Sequence, residues 1–180
     1  TDVSTITAIQ TVNIDVVAGA DVTIGSAFDA TVDDITLTGG NSLSTFNAST
    51  VNTALETISA AAFAGNLLVT FAADTFDNTV TVTGGDLLTD TVTATIGGAA
   101  TFTPTTTGVD IITITTTGGN TTVLDTSVMT DIVTINVTNS VAGTFRADKL
   151  TGTETIVVSA AADAASIVEG KLANSTGTTD

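Results

Sequence analysis

The sequence predicts an all-β chain wound as a parallel β-helix, or β-solenoid, with coils of about 22 residues. Two recurring segments and the residue types that fill them point to this fold. The apolar residues are mostly Val, Ile, Leu and Ala, and Thr is abundant throughout. β-Branched side chains pack well on a pleated surface and lose rotamer freedom in helices. An antiparallel β-sandwich also shows short strands separated by turns, and it is the second choice. A sandwich, however, has no reason to repeat its sequence.

The first recurring segment is an acid or amide followed by a β-branched strand. Its early copies are Gln10-Thr11-Val12-Asn13-Ile14, Asp34-Ile35-Thr36-Leu37, Glu56-Thr57-Ile58 and Asn78-Thr79-Val80-Thr81-Val82. Its later copies are Asp90-Thr91-Val92, Asp110-Ile111-Ile112-Thr113-Ile114, Asp131-Ile132-Val133-Thr134-Ile135 and Glu154-Thr155-Ile156-Val157-Val158. The second segment lies between these and places a hydrophobe on either side of a short polar or Ala stretch. It reads Ile24 to Phe28, Phe46 to Val51, Phe71 to Phe76, Leu124 to Met129, Phe145 to Leu150 and Val168 to Leu172. Five of the seven Phe residues fall in it, so this slot faces the interior. Gly84 to Gly108 fits the alternation worst and is expected to carry an insertion or a wider turn. Ala60–Ala64 and Ala160–Ala165 offer at most a short helical turn between strands.

Such a unit must stack, because a strand of about five residues buries too little surface alone. Coiling sets equivalent slots about 4.8 Å apart, so seven coils make a rod of roughly 34 Å. Residues 1–180 are therefore read as one β-solenoid domain, expected to be a piece of a longer repetitive surface protein.

Composition removes most chemistry. Three Lys+Arg stand against 19 Asp+Glu, a net charge of −16, and the chain has no His and no Cys. Without His there is no ordinary proton relay near neutral pH, and without Cys no thiolate nucleophile or disulfide. The charge opposes nucleic acid, whose phosphates require cations. No apolar run approaches the roughly 20 residues of a membrane span.

The carboxylates have two readings. Stacking is expected to align Asp34, Glu56, Asp110, Asp131 and Glu154 on one edge, where solvation would keep the rod soluble. Alternatively they hold Ca²⁺, a hard cation taking carboxylate and carbonyl oxygens. The metal-ligand candidates near turns are Asp29, Asp33, Asp34, Asp74, Asp77, Asp86 and Asp90. Gly39-Gly40-Asn41, Gly84-Gly85-Asp86 and Gly118-Gly119-Asn120 are fragments of a calcium-solenoid nonapeptide and read better as turns.

Three further features have a plain and a functional reading. Arg146 and Lys149 flank Asp148, and Lys171 follows Glu169. Local surface pairs are the plain reading, and contact with an acidic neighbouring copy the functional one. Thr alternates in Thr79–Thr83, Thr91–Thr95, Thr101–Thr105 and Thr113–Thr115, which puts hydroxyls on one strand face, as on the ice-binding face of β-solenoid antifreeze proteins. Asn47, Asn120, Asn136 and Asn174 each begin an Asn-x-Ser/Thr triplet.

Thr45-Phe46-Asn47-Ala48-Ser49 leading to Leu55-Glu56-Thr57-Ile58, and Ala147 through Ile156, resemble the repeats of bacterial S-layer proteins and of large surface proteins of the type-I-exported kind. The resemblance implies a β-solenoid outside the cell, tiling into a lattice or fibre, often with Ca²⁺ at its contacts. The expected function is thus a non-enzymatic, self-assembling structural protein of the extracellular surface. The expected partners are further copies of itself and a cell-surface polysaccharide. The alternative is an adhesin or ice-binding rod.

Overall fold

The structure, a computed structural model, describes residues 9–24, 31–51, 54–85, 87, 89–139, 142–161 and 167–173. The candidates Asp29 and Asp86, and the triplet at Asn174, lie outside the described residues. Sixteen strands and no helix make up the described chain.

The strands form three parallel sheets. Sheet I contains β1 (Thr11–Val16), β3 (Asp34–Gly39), β5 (Thr57–Phe63), β7 (Thr81–Thr83) and β10 (Thr105–Thr107). Sheet II contains β2 (Asp21–Ile24), β4 (Thr45–Val51), β6 (Asn66–Phe71), β8 (Thr91–Ile96), β11 (Ile111–Thr116), β13 (Thr134–Asn139) and β15 (Thr155–Ala161). Sheet III contains β9 (Ala100–Phe102), β12 (Thr121–Asp125), β14 (Thr144–Leu150) and β16 (Ile167–Leu172). Every strand pair is parallel, and partners such as Thr11 and Asp34 or Ile111 and Thr134 are about 23 residues apart. The chain is therefore a β-solenoid and not a sandwich.

Alternation along each strand decides what faces inward. Sheet I stacks Val12, Ile35, Ile58, Val82 and Thr106, with Met129 bridged to Thr106 above them. Sheet II stacks Ile24, Ala48, Val69, Val92, Ile112, Ile135 and Ile156. Sheet III stacks Phe102, Leu124, Ala147 and Gly170. These columns merge into one continuous apolar core. Ala60 lies within strand β5 and helps fill the core, so no helical turn forms there.

The stretch from Gly84 to Gly108 is where the cross-section changes. The first three coils contribute strands to sheets I and II only, and sheet III begins at β9. Beneath β9 lies the loop 72–79, which supplies acceptors where a strand is missing. Asp74 Oδ1 accepts the Gly97 N–H at 2.6 Å, and Asn78 Oδ1 accepts the Thr103 N–H at 2.5 Å. Phe76 fills the widened interior, 5.1 Å from Phe71 and 6.2 Å from Phe102 between ring centroids. Gly84 sits where two coils approach closely: a Cβ there would collide with the Gly108 carbonyl oxygen. Two coils earlier, Gly39 and Gly40 both take positive φ (76° and 74°), a turn that side chains oppose.

The expected single acidic edge does not form. Asp34 opens β3 of sheet I, and Glu56 directly precedes β5 of the same sheet. Asp110 and Glu154 precede β11 and β15 of sheet II, and Asp131 lies in the loop before β13. The same sequence signature thus marks two different corners of the rod. One backbone motif explains why. The carbonyl before the strand accepts two N–H groups from the next coil: Asp33 and Asp34 to Gln10, Glu56 and Thr57 to Asp33, Asp110 and Ile111 to Asp90, Val133 and Thr134 to Asp110.

One inward position breaks the apolar pattern of sheet I. The Thr106 hydroxyl is fully buried and has no hydrogen-bond partner. Burial of such a group costs about 1–3 kcal/mol. Thr106→Val keeps the shape and the branched Cβ, so it is expected to stabilise the fold by about 1 kcal/mol. Urea denaturation should show a higher midpoint with an unchanged slope.

Candidate functional site

The described carboxylates separate into turn-formers and a buried group. Asp33 accepts a hydrogen bond from Gln10 Nε2 at 3.3 Å, and Asp34 accepts one from Thr11 Oγ1 at 3.5 Å. Asp74 takes a positive φ of 60° and caps Gly97. Asp77 Oδ1 accepts both the N–H and the hydroxyl of Thr79, at 2.9 and 2.7 Å, which tightens its own turn. Each of these candidates therefore spends its oxygens on local backbone or on the adjacent coil. Among the described residues, no group of three or more acidic side chains is placed to hold a metal ion.

Asp90, the remaining described candidate, is different: nothing in its sequence context marks it as a buried group. Its slot in sheet II follows Phe46 and Leu67, both wholly buried. Asp90 is 0 % exposed, and its neighbour Asp110 is 4 % exposed. Asp90 Oδ1 accepts the Leu67 N–H at 2.8 Å, and Oδ2 accepts the Gly85 N–H at 2.6 Å. Its own N–H donates to Asp110 Oδ2 at 3.2 Å. The carboxylate bridges two coils where the corner is displaced, supplying acceptors that a regular strand would otherwise give.

Asp110 and Asp131 line an open cleft with Thr83, Gly84, Gly85, Leu87, Thr107 and Gly108. Asp131 has a φ of 70°, and its Oδ2 accepts the Gly108 N–H at 3.2 Å and the Thr130 hydroxyl at 2.8 Å. Burial pushes the Asp90 carboxyl up, reinforced by the charge of Asp110 and opposed by the Leu67 and Gly85 N–H groups. Burial also raises Asp110, with the Asp131 charge adding to it. Two carboxyl groups, Asp110 and Asp131, therefore share the cleft, with no Lys or Arg among its described lining residues.

Charged contacts elsewhere are local. Arg146 Nε and Nη2 hold the two oxygens of Asp148 at 2.7 and 2.9 Å, a bidentate pair on one strand. Glu154 collects N–H groups from Thr151, Gly152 and Thr153. Burial pushes its carboxyl up, but these hydrogen bonds prevail and hold it below its ordinary value.

The outer face of sheet II carries the Thr residues in ranks. Thr91, Thr93 and Thr95 align with Ile111, Thr113 and Thr115, and these with Thr134, Asn136 and Thr138. All nine are half-buried. Sheet I has a second hydroxyl face, with Thr57 and Ser59 aligned on Thr81 and Thr83, then Thr105 and Thr107. Among the sequon asparagines, Asn47 and Asn136 point outward from strands, and Asn120 is exposed in a turn.

In comparisons with known proteins, no family model, no curated protein and no solved structure matches this chain.

The buried acids set a pH dependence. Their folded values lie above the ordinary 3.8, so the folded chain binds these protons more tightly than the unfolded chain. The stability from this source is complete below 3.8 and is lost as pH rises through the raised folded values. Lowering the pH from 7 towards 3.8 is therefore expected to raise the contribution of these groups to the melting temperature. Asp110→Asn should raise it at pH 7 and shrink the difference. Asp90→Asn should instead cost about 2 kcal/mol, because its amide would turn an NH₂ towards either Leu67 or Gly85 N–H. Thermal melts of the three chains across this range check both signs.

Proposed function

We propose that this chain is a non-enzymatic building block of a bacterial cell surface that self-associates through the ends of its solenoid into a lattice or filament. The observation that carries this reading is the parallel ladder of the described coils, a strand surface that a further coil, of this chain or of another copy, can extend; among the described residues no strand pairs with the outer side of β2 or β15. Coils of a solenoid contact only their neighbours, so a terminal coil lacks half of its stabilising contacts. The resemblance to S-layer repeats and the lack of His and Cys support the same reading.

Calcium enters as a bridge between copies. A net charge of −16 makes copies repel. A divalent cation shared by exposed carboxylates of two rods would relieve that repulsion without a preformed pocket.

The Thr ranks on sheet II favour a second reading, in which the rod binds an ordered surface. They present hydroxyls and methyls at a regular repeat of about 4.8 Å between strands.

Negative-stain electron microscopy of the purified chain, with Ca²⁺ and with a chelator, tests the proposal. Ordered sheets or filaments are expected with Ca²⁺, and the chelator should disperse them. A strict monomer in both conditions would overturn self-assembly, and thermal hysteresis on freezing of that monomer would favour the surface-binding rod.

A further inference from the structure

We infer that Met129 is a site of oxidation by peroxide, and that the Thr106 hydroxyl receives the oxygen added there, so that the coil takes up the modification without unfolding; this is independent of the self-assembly reading above. The chain has one Met and no Cys, His, Trp or Tyr. Met129 is therefore its one side chain that dilute peroxide readily oxidises.

The sheet I column sets a free donor next to that thioether. Thr106 is the inward residue of β10, stacked on Val82 of the coil below and bridged in parallel to Met129 of the coil above. Met129 belongs to the apolar core and is 8 % exposed. Residues paired across coils lie about 4.8 Å apart, so the flexible Met129 side chain is the next neighbour of Thr106 in this column. Among the described residues, the Thr106 hydroxyl is the buried side-chain polar atom left without a hydrogen-bond partner. The backbone donors beside it are engaged. The Met129 N–H donates to the Thr126 carbonyl at 3.0 Å, and the Thr130 N–H donates to the Thr106 carbonyl at 2.9 Å. A new acceptor on the sulfur can thus be met by the Thr106 hydroxyl.

The fold also gives peroxide a way in. Among the described strands sheet I ends with β10, and Met129 is joined to it by an isolated bridge rather than by a strand. Ser127, Val128 and Thr130 around it are exposed. A turn held in this way opens locally at lower cost than the whole solenoid. In the reaction a sulfur lone pair attacks one oxygen of hydrogen peroxide. The S–O bond forms, the O–O bond breaks, the sulfur is oxidised by two electrons, and the second oxygen leaves as water. The product carries a polar oxygen inside an apolar column, where an unpaired acceptor bears the full cost of desolvation. With the Thr106 hydroxyl donating to it, each of two orphan groups satisfies the other.

The order of stabilities tests this. Folded wild type, Thr106→Val, Thr106→Ser and Met129→Leu are treated with hydrogen peroxide. Peptide mass mapping counts the oxygen taken up at Met129, and urea midpoints are compared before and after. Before treatment Thr106→Val has a higher midpoint than wild type. After full oxidation the order is expected to reverse, with Thr106→Val below wild type. Thr106→Ser, which keeps a hydroxyl, loses less on oxidation than Thr106→Val, and Met129→Leu does not move. Treatment with methionine sulfoxide reductases restores the original order. If Thr106→Val stays above wild type after oxidation, the hydroxyl does not receive the oxygen. If folded wild type withstands peroxide that oxidises Met129 in urea, the site is closed. Either result overturns the inference, and neither bears on self-assembly.

Discussion

The parallel backbone ladder between coils is the constraint on which the rest of the structure depends. No described strand exceeds seven residues, and a strand of that length is marginal alone. Each therefore needs the coil above and below for its hydrogen bonds and for half of its burial. The backbone repeat fixes the axial spacing, so side chains must match it rather than choose it. Branched aliphatics satisfy that requirement because one preferred rotamer repeats from coil to coil. Hence the core is made of columns, Ile35 on Ile58 on Val82 in sheet I and Val92 on Ile112 on Ile135 in sheet II.

The ladder also explains where the acids sit. At each corner the chain leaves the sheet, and N–H groups of the following coil lose their regular acceptors. A bifurcated carbonyl satisfies two of them, and a carboxylate placed there can satisfy more. At Asp90 both roles combine: its carbonyl serves Asp110 and Ile111, while its side chain serves Leu67 and Gly85. The Asp74 side chain plays the second of these parts, accepting the Gly97 N–H beneath the first strand of sheet III. Most described acids are therefore structural parts of corners. Their abundance is partly a consequence of coiling and not by itself evidence of a metal site.

This is also why part of the fold was legible in the sequence and part was not. Period-two alternation in segments such as Thr91–Ile96 and Ile111–Thr116 identifies inward positions directly, because inner and outer faces differ in polarity. The 22-residue recurrence identifies coiling. Neither tells one corner from another, since an acid before a β-branched strand suits any corner with the same backbone motif. Asp34 and Asp90 carry the same local signature, yet one is half-buried at a strand entrance and the other is wholly enclosed. The difference arises from what each carboxylate meets in the fold: Asp90 is enclosed against the N–H groups of Leu67, 23 residues away on the adjacent coil, and of Gly85. No local signal reports it.

A rod built this way differs from a closed barrel in one respect that bears on function. Closure removes strand edges, whereas coiling only moves them to the two ends. Every interior coil is satisfied twice, and each terminal coil once, so the unsatisfied surface stays constant however many coils are added. Outward faces rich in Thr, with charge concentrated at −16 overall, resist side-by-side contact between bare rods. Coverage follows the same rule among the described residues: Val158 is about half exposed where Val137, one coil inward, is buried, and Val22 and Ile24 are half-buried where Phe46 and Ala48 are buried. Under the proposed self-assembly, a further coil stacked along the axis would gain both hydrogen bonds and burial, whereas lateral association would need a counter-ion to gain either.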